Sequence, residues 1–84
     1  MAKSFEKDFK RCRRRGLKLD KLSNIIGLLE NDEALPKRTR PHRLVGNYSG
    51  KWECHVEPDW LLIYSLIDHD VLKLERTGTH SDLF

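Results

Sequence analysis

One stretch of the sequence is almost continuously apolar. Trp60–Ile67 reads WLLIYSLI, and a turn signal flanks it on each side, Glu57-Pro58-Asp59 before it and Asp68-His69-Asp70 after it. A strand with one solvated face would alternate apolar and polar residues. The uninterrupted run therefore predicts a central strand that is covered on both faces.

The segments on either side of this run alternate in polarity. Residues 51–56 separate into an apolar and a polar face, with Trp52, Cys54 and Val56 on the first and Lys51, Glu53 and His55 on the second. Residues 71–77 alternate again. Because the connections are short, the three segments are predicted to be antiparallel neighbours in one sheet.

Arg76 occupies an unusual place in this alternation. It has the same parity as Leu72 and Leu74, so simple alternation predicts that its side chain faces the apolar layer. An arginine in such a position either extends past the end of the sheet or binds an anionic ligand. The sequence leaves both interpretations open.

Two amphipathic helices are predicted before the strands. The first covers residues 4–15, and the second has an apolar stripe with spacings of three and four, formed by Leu19, Leu22, Ile25, Ile26 and Leu29. Residues 1–84 are expected to form a single domain. The predicted fold class is α+β, an N-terminal helical hairpin packed on a small antiparallel β-sheet of three to four strands.

Charge is distributed unevenly along the chain. Residues 1–43 contain 13 Lys and Arg against 6 Asp and Glu, whereas residues 44–84 contain 3 against 7. This asymmetry favours a surface that faces a polyanion and an acidic partner, although a solvated helical face explains it equally well.

Neither the cysteines nor the apolar segments indicate a secreted or membrane protein. Cys12 and Cys54 form no disulfide framework and are interpreted as reduced thiols. No apolar run approaches the ~18 residues that span a bilayer, so a cytoplasmic location without membrane contact is expected.

Histidines occur at three positions that could support chemistry. His42 lies in a basic loop, His55 lies on the polar face of its predicted strand near Asp59, and His80 lies in the polar terminus after Gly78. A zinc site from these three histidines is conceivable, but no pair has the spacing of known zinc ligands, so no metal is expected. His69, in a turn, is interpreted as simply exposed.

Two segments resemble the signatures of a known family. Residues 55–60 (HVEPDW) and 75–84 (ERTGTHSDLF) are similar to those of YafQ-type toxins, which belong to the RelE/ParE superfamily of bacterial toxin–antitoxin systems. Residues 41–44 (PHRL), followed by Gly46, match the loop that carries a histidine in this family. The resemblance extends over nearly the whole chain.

This resemblance implies an endoribonuclease that needs no metal or cofactor and cuts mRNA in the ribosomal decoding site. By motif position, it implies six active-site residues: His42, His55, Asp59, Arg76, His80 and Phe84. Histidine exchanges protons near neutral pH, and the arginine fork matches a phosphate.

The hypothesis that follows assigns a role to each residue. Arg76 binds the scissile phosphate and His80 is the general acid, while Phe84 stacks on a base of the RNA. His55 or His42 is the general base. Asp59 either orients a histidine or is itself the base.

The resemblance also implies partners. A cognate antitoxin, commonly of the ribbon-helix-helix type, would cover the toxin, and operator DNA would be contacted only through that complex. Family members usually begin with a β-strand, which in this chain is either very short or absent.

Two other functions remain as alternatives. One is a non-catalytic, ParE-like topoisomerase poison, a class that generally lacks this set of histidines. The other is a plain nucleic-acid-binding domain, which would explain the basic first half but not the terminal motif.

Overall fold

Two helices, a four-stranded sheet and a short C-terminal helix make up the protein. The computed structural model describes residues 3–67 and 71–84. The helices and strands are α1 (Lys3–Arg14), α2 (Leu19–Glu30), β1 (His42–Arg43), β2 (Trp52–Glu57), β3 (Trp60–Ile67), β4 (Val71–Gly78) and α3 (His80–Leu83). The predicted turn at Asp68-His69-Asp70 and any strand within residues 1–2 lie outside the described residues.

The sheet is antiparallel throughout, with strand order β1-β2-β3-β4. The predicted α+β class is confirmed, because α1 and α2 pack on a small antiparallel sheet of four strands. The loop that carries His42 differs from the expectation in one respect. Its residues His42 and Arg43 form a short edge strand, which pairs with Glu53 and Trp52 of β2.

The helices cover one face of β3. The main core lies between them and the sheet, and its buried members are Phe5, Cys12, Leu22, Ile25, Cys54, Val56, Trp60, Leu62, Tyr64 and Leu74. Fully burying one such side chain contributes about 1.5–3 kcal/mol. The apolar sides of both helices therefore face the sheet.

A second, smaller apolar cluster covers the opposite face of β3. Leu61 and Ile63 are completely buried there against Leu83 of α3, and Leu44 and Tyr48 pack around them. The prediction that this strand is covered on both faces is thus confirmed for residues 60–64, whereas Leu66 and Ile67 at its end are exposed. The cover on this second face comes from the C-terminal helix and from the loop before β2, and both also carry polar residues of the site.

A β-bulge corrects the position predicted for Arg76. Ile63 pairs with Arg76, but the next residue of β3, Tyr64, pairs with Leu74, so Glu75 is an extra residue in β4. The extra residue reverses the alternation, because it places Arg76 and Leu74 on opposite faces. The expectation that Arg76 faces the apolar layer is therefore wrong. The core-facing position belongs to Thr77, whose hydroxyl accepts a hydrogen bond from the Trp60 indole at 2.9 Å.

Candidate active site

Four aromatic rings form a row on the face of the sheet opposite the helices. Adjacent ring centroids are separated by 6.4 Å from His42 to His55, 6.2 Å from His55 to His80 and 6.1 Å from His80 to Phe84. These residues come from β1, β2, α3 and the C-terminus. The structure therefore brings together four of the six residues that the sequence indicated, along one continuous surface.

The carboxylate of Asp59 lies next to His80. Its Oδ1 atom lies 3.2 Å from the backbone nitrogen of His80 and 3.2 Å from the ring Nδ1. The hydrogen bonds from His80, first from the backbone N–H and then from the ring, hold the pKa of Asp59 below its ordinary value. An ionised carboxylate only accepts hydrogen bonds, so the Nδ1 atom of His80 carries a proton. The Nε2 atom of His80 is then the nitrogen available for proton transfer.

His42 and His55 are oriented in a common way. The Nδ1 atom of His42 lies 2.8 Å from the carbonyl oxygen of Arg40, and that of His55 lies 3.3 Å from the carbonyl oxygen of Pro58. Because a carbonyl oxygen can only accept, each ring donates from Nδ1. Each Nε2 atom is therefore the nitrogen that faces the rest of the site.

One buried carboxylate joins these two histidines. Oε1 of Glu53 lies 3.3 Å from Nε2 of His42 and 3.8 Å from Nε2 of His55. Glu53 is only 4% exposed. A single buried carboxylate oxygen therefore lies within 4 Å of the Nε2 atom of both rings.

Arg76 is held at its side by Asp8 of α1. Nε of Arg76 lies 2.6 Å from Oδ2 of Asp8, and Nη2 lies 3.2 Å from Oδ1. Asp8, which is 1% exposed, also accepts the backbone N–H of Thr77. Its hydrogen bonds raise the pKa of Arg76 above the ordinary value. Asp8 leaves the far end of the guanidinium fork. Nη1 carries two N–H groups, of which the Tyr48 hydroxyl accepts one, so the other and the second N–H of Nη2 can bind an anion.

Tyr48 connects Arg76 to the ring row. Its hydroxyl accepts a hydrogen bond from Nη1 of Arg76 at 3.4 Å and donates one to the carbonyl oxygen of Leu83 at 3.2 Å. Its ring also meets the edge of Phe84, with centroids 5.3 Å apart. One side chain thus sets the relative position of the guanidinium and the C-terminal ring.

The helix that carries His80 is fixed at its first turn. Thr79 and Asp82 form a reciprocal capping box, and Arg15, directly after α1, binds Asp82 through two contacts of 2.7 and 3.1 Å. These interactions hold the pKa of Asp82 well below its usual range, and the Arg15 side chain has the largest effect. Gly78 is required here, because a Cβ atom would lie 2.9 Å from Oδ2 of Asp82.

Three residues of this site were not predicted: Asp8, Tyr48 and Glu53. Only Glu53 carried a signal in the sequence, since it lies two residues before His55 on the polar face of β2. The roles of Asp8 and Tyr48 depend on contacts with residues distant in sequence. Part of the basic first half is also used internally, because Arg11 and Arg15 face Asp8 and Asp82 rather than an external polyanion.

No three His, Cys, Asp or Glu side chains among residues 3–67 and 71–84 are grouped so that they could hold a metal ion. Within the same residues, no helix is long and apolar enough to cross a membrane.

Comparison with known proteins identifies the family. All of residues 1–84 match the family described as the bacterial toxin of type II toxin–antitoxin system, YafQ. The mRNA interferase toxin YafQ of Escherichia coli (strain K12) is 43% identical over 81 residues, which cover 95% of this chain and 87% of the relative.

Solved structures agree with this match. The crystal structure of YafQ from E. coli strain BL21(DE3) superposes with a TM-score of 0.94 at 40% identity, covering 99% of this chain and 92% of the other. YafQ in the E. coli DinJ–YafQ toxin–antitoxin complex superposes with a TM-score of 0.89 at 42% identity, covering 99% and 91%. The resemblance noted in the sequence is thereby confirmed, and the chain belongs to the YafQ family of bacterial toxins of type II toxin–antitoxin systems.

Proposed function

We propose that this toxin is an mRNA interferase, an endoribonuclease that cuts messages on the ribosome without a metal ion. The name of its E. coli relative, an mRNA interferase toxin, supports the activity. The observation that carries the mechanism is the Asp59–His80 pair at the centre of a row of histidine rings. Such a row offers an acid and a base to a single phosphate.

RNA itself supplies the nucleophile. The 2′-hydroxyl loses its proton to a base and attacks the adjoining phosphorus, and the bond from phosphorus to the 5′-oxygen breaks. The leaving oxygen takes a proton from an acid. The products are a 2′,3′-cyclic phosphate and a free 5′-hydroxyl, so protons and electron pairs balance without an added reactant.

His80 is the general acid in this proposal. Its Nδ1 atom is engaged by Asp59, so a protonated ring presents Nε2–H to the leaving 5′-oxygen. Asp59 is the positioning residue, which selects this tautomer and stabilises the imidazolium. Between the two roles considered for Asp59, the geometry favours the orientation of a histidine.

The general base is one of the two histidines that Glu53 joins. The ring of His55 lies 6.2 Å from that of His80, so the two can act on the same phosphate. His42 is the alternative base, and its side chain is half exposed. In either case Glu53 lies beside the base and stabilises the imidazolium that forms when the base takes the proton.

Arg76 and Phe84 complete the site. The free end of the Arg76 guanidinium stabilises the charge that builds up on the phosphorane, and Asp8 fixes its orientation beforehand. Phe84 is 62% exposed, so its ring is available to stack on an unpaired base of the message.

An antitoxin is the proposed protein partner. The E. coli relative has been crystallised in a toxin–antitoxin complex with DinJ, which supports a cognate antitoxin for this chain. We assign that antitoxin to the ribbon-helix-helix class, so operator DNA would be reached only through the complex.

Primer extension on a reporter message translated in vitro tests the activity. The toxin should create discrete new 5′ ends inside the coding frame, and His80→Ala should reduce cleavage about 100-fold or more. Ser81→Ala, which alters the exposed neighbour of His80, is the matched control and should cut at the wild-type rate.

Three further outcomes would exclude parts of the proposal. New ends that carry a 5′-phosphate would exclude attack by the 2′-hydroxyl, and equal cleavage of the same message without ribosomes would exclude ribosome dependence. An intact message in a cell whose growth is blocked would refute the nuclease and favour the topoisomerase poison.

A further inference from the structure

A basic pocket lies beside the row of rings. It has a volume of about 320 Å³, and three basic side chains outnumber one carboxylate in its lining, which is formed by Lys21, Arg38, Arg40, His55, Val56, Glu57 and Pro58. Because His55 belongs both to this pocket and to the ring row, the two are continuous. A chain of RNA that passes the histidines can therefore enter the pocket.

Two of the three basic side chains are free to bind an anion. Lys21 is engaged with Glu57 at 3.1 Å. Neither Arg38 nor Arg40 takes part in any ion pair formed within the described parts of the chain, and both are exposed. The third arginine of this loop, Arg43, lies over the ring of Trp52 at 5.3 Å, so it is already occupied.

The backbone presents these two arginines rigidly. Thr39, between them, is completely buried, and its hydroxyl donates to the carbonyl oxygen of Pro36 at 2.6 Å. Arg40 has a left-handed backbone, with φ of 48° and ψ of 57°, a conformation that strains any residue with a Cβ atom. Its carbonyl oxygen also accepts a hydrogen bond from Nδ1 of His42. Strained residues of this kind cluster at functional sites.

We propose that Arg38 and Arg40 form a subsite for backbone phosphates of RNA, next to the phosphate that is cut. This inference rests on the proposed nuclease function and adds the surface that holds the flanking chain. A guanidinium binds phosphate through its planar fork, and two arginines on one rigid turn can engage successive phosphates. RNA fits better than an acidic peptide, because His55 places this pocket next to the proposed cleavage site.

Binding without cleavage is the direct test. A short fluorescein-labelled single-stranded RNA of mixed sequence is titrated with toxin that carries His80→Ala, and anisotropy is recorded over a series of salt concentrations. Adding Arg38→Ala and Arg40→Ala should weaken binding about tenfold near 0.15 M salt and reduce the slope of log K against log salt by roughly 1.4, as expected for two lost phosphate contacts.

Matched variants separate the subsite from general charge. Lys10→Ala with Arg13→Ala removes the same net charge from the apolar cleft between the helices and β4, and it should leave the slope unchanged. Arg40→Gly should weaken RNA binding while it maintains or raises the melting temperature, because glycine relieves the left-handed backbone. A loss of affinity only together with a loss of fold would contradict the proposal.

The source of the phosphate is decided by a second titrant, ribosomes free of message. Weaker binding to free RNA assigns the phosphates to the message, whereas weaker binding to ribosomes alone assigns them to ribosomal RNA. Wild-type affinity and slope on both would overturn the subsite. Unchanged RNA binding with weakened antitoxin binding would overturn it in favour of an acidic peptide.

The outcomes distinguish a failure of the subsite from a failure of the nuclease proposal. A reduced slope in a toxin that never cuts mRNA would leave the subsite in place and refute the nuclease. Normal cleavage with an unchanged slope would refute the subsite and leave the nuclease proposal in place.

Discussion

The carboxylate of Asp8 accepts two hydrogen bonds from the side of the Arg76 guanidinium, at 2.6 and 3.2 Å, across 68 residues of sequence. A buried anion on the first helix thus orients the proposed phosphate ligand at the end of the last strand. Because the side of the fork is occupied, only its end can face RNA.

Replacing Asp8 by asparagine should disturb both stability and rate. Asp8→Asn leaves the half-buried guanidinium without its counter-charge, which should cost about 2 kcal/mol of unfolding free energy. The cleavage rate should fall about 10-fold or more as Arg76 loses its fixed orientation. Denaturant unfolding and single-turnover cleavage measure the two effects. Glu6→Gln, on the exposed side of α1, is the control, and an equal effect of both variants would contradict the role of Asp8.

Tyr48→Phe isolates the hydroxyl that links Arg76 to Leu83. The ring and its edge contact with Phe84 remain, so stability should change by no more than about 1 kcal/mol, while the cleavage rate should fall about 10-fold. Tyr64→Phe removes a hydroxyl from the helix-facing core and should leave the rate unchanged. Wild-type cleavage by Tyr48→Phe would show that this link has no part in positioning.

Glu53→Gln tests the shared carboxylate. Without the anion, neither His42 nor His55 has a negative partner at Nε2, and the cleavage rate should fall about 10- to 100-fold. Long-range ¹H–¹⁵N spectra of the imidazoles should show a proton on Nδ1 of both rings in the wild type and altered Nε2 signals in the variant. Glu33→Gln, at an exposed position, serves as control. Unaltered imidazole spectra would contradict the interaction of Glu53 with these two rings.

The low pKa of Asp82 predicts how stability depends on pH. Arg15 and the Thr79 backbone favour the ionised carboxylate, so its contribution is complete above the unfolded-state pKa near 3.9 and is lost as the pH falls below it. Asp82→Asn should lower the melting temperature at pH 7 by about 4–8 °C, equivalent to about 1 kcal/mol. The difference in melting temperature between the variant and the wild type should disappear as the pH falls below about 4. A constant difference over this range would refute the linkage, and Asp20→Asn is the control.

Both cysteines should be unreactive in the folded protein. Burial raises the pKa of Cys54 to about 12 and also raises that of Cys12, so almost no thiolate exists at neutral pH. A thiol reagent such as dithiobis(nitrobenzoic acid) should modify neither residue in the native state and both residues in guanidinium chloride. Rapid modification of the native protein would show that the core opens locally.

The strands could be predicted from the sequence because their pattern is local. In Trp60–Ile67 and in the alternation of residues 51–56, burial depends on side chains that point to opposite faces every second residue. The stripes of the two helices are equally local. The C-terminal helix, which was not predicted, also has a local signal, since Thr79 and Asp82 have the spacing of a capping box.

Six candidate site residues could be named through motif resemblance, but their arrangement depends on the tertiary structure. The bulge at Glu75 exists only in the pairing of β4 with β3, so no alternation within β4 could show that Arg76 faces away from the core. Asp8, Tyr48 and Glu53 act through partners on other elements. The sequence by itself determined α1, α2, β2, β3, β4 and most of the chemically active residues, since periodicity and motifs act over a few neighbours. Only the fold decided which side chains orient them, because hydrogen bonds and ion pairs between distant residues form when the elements are packed.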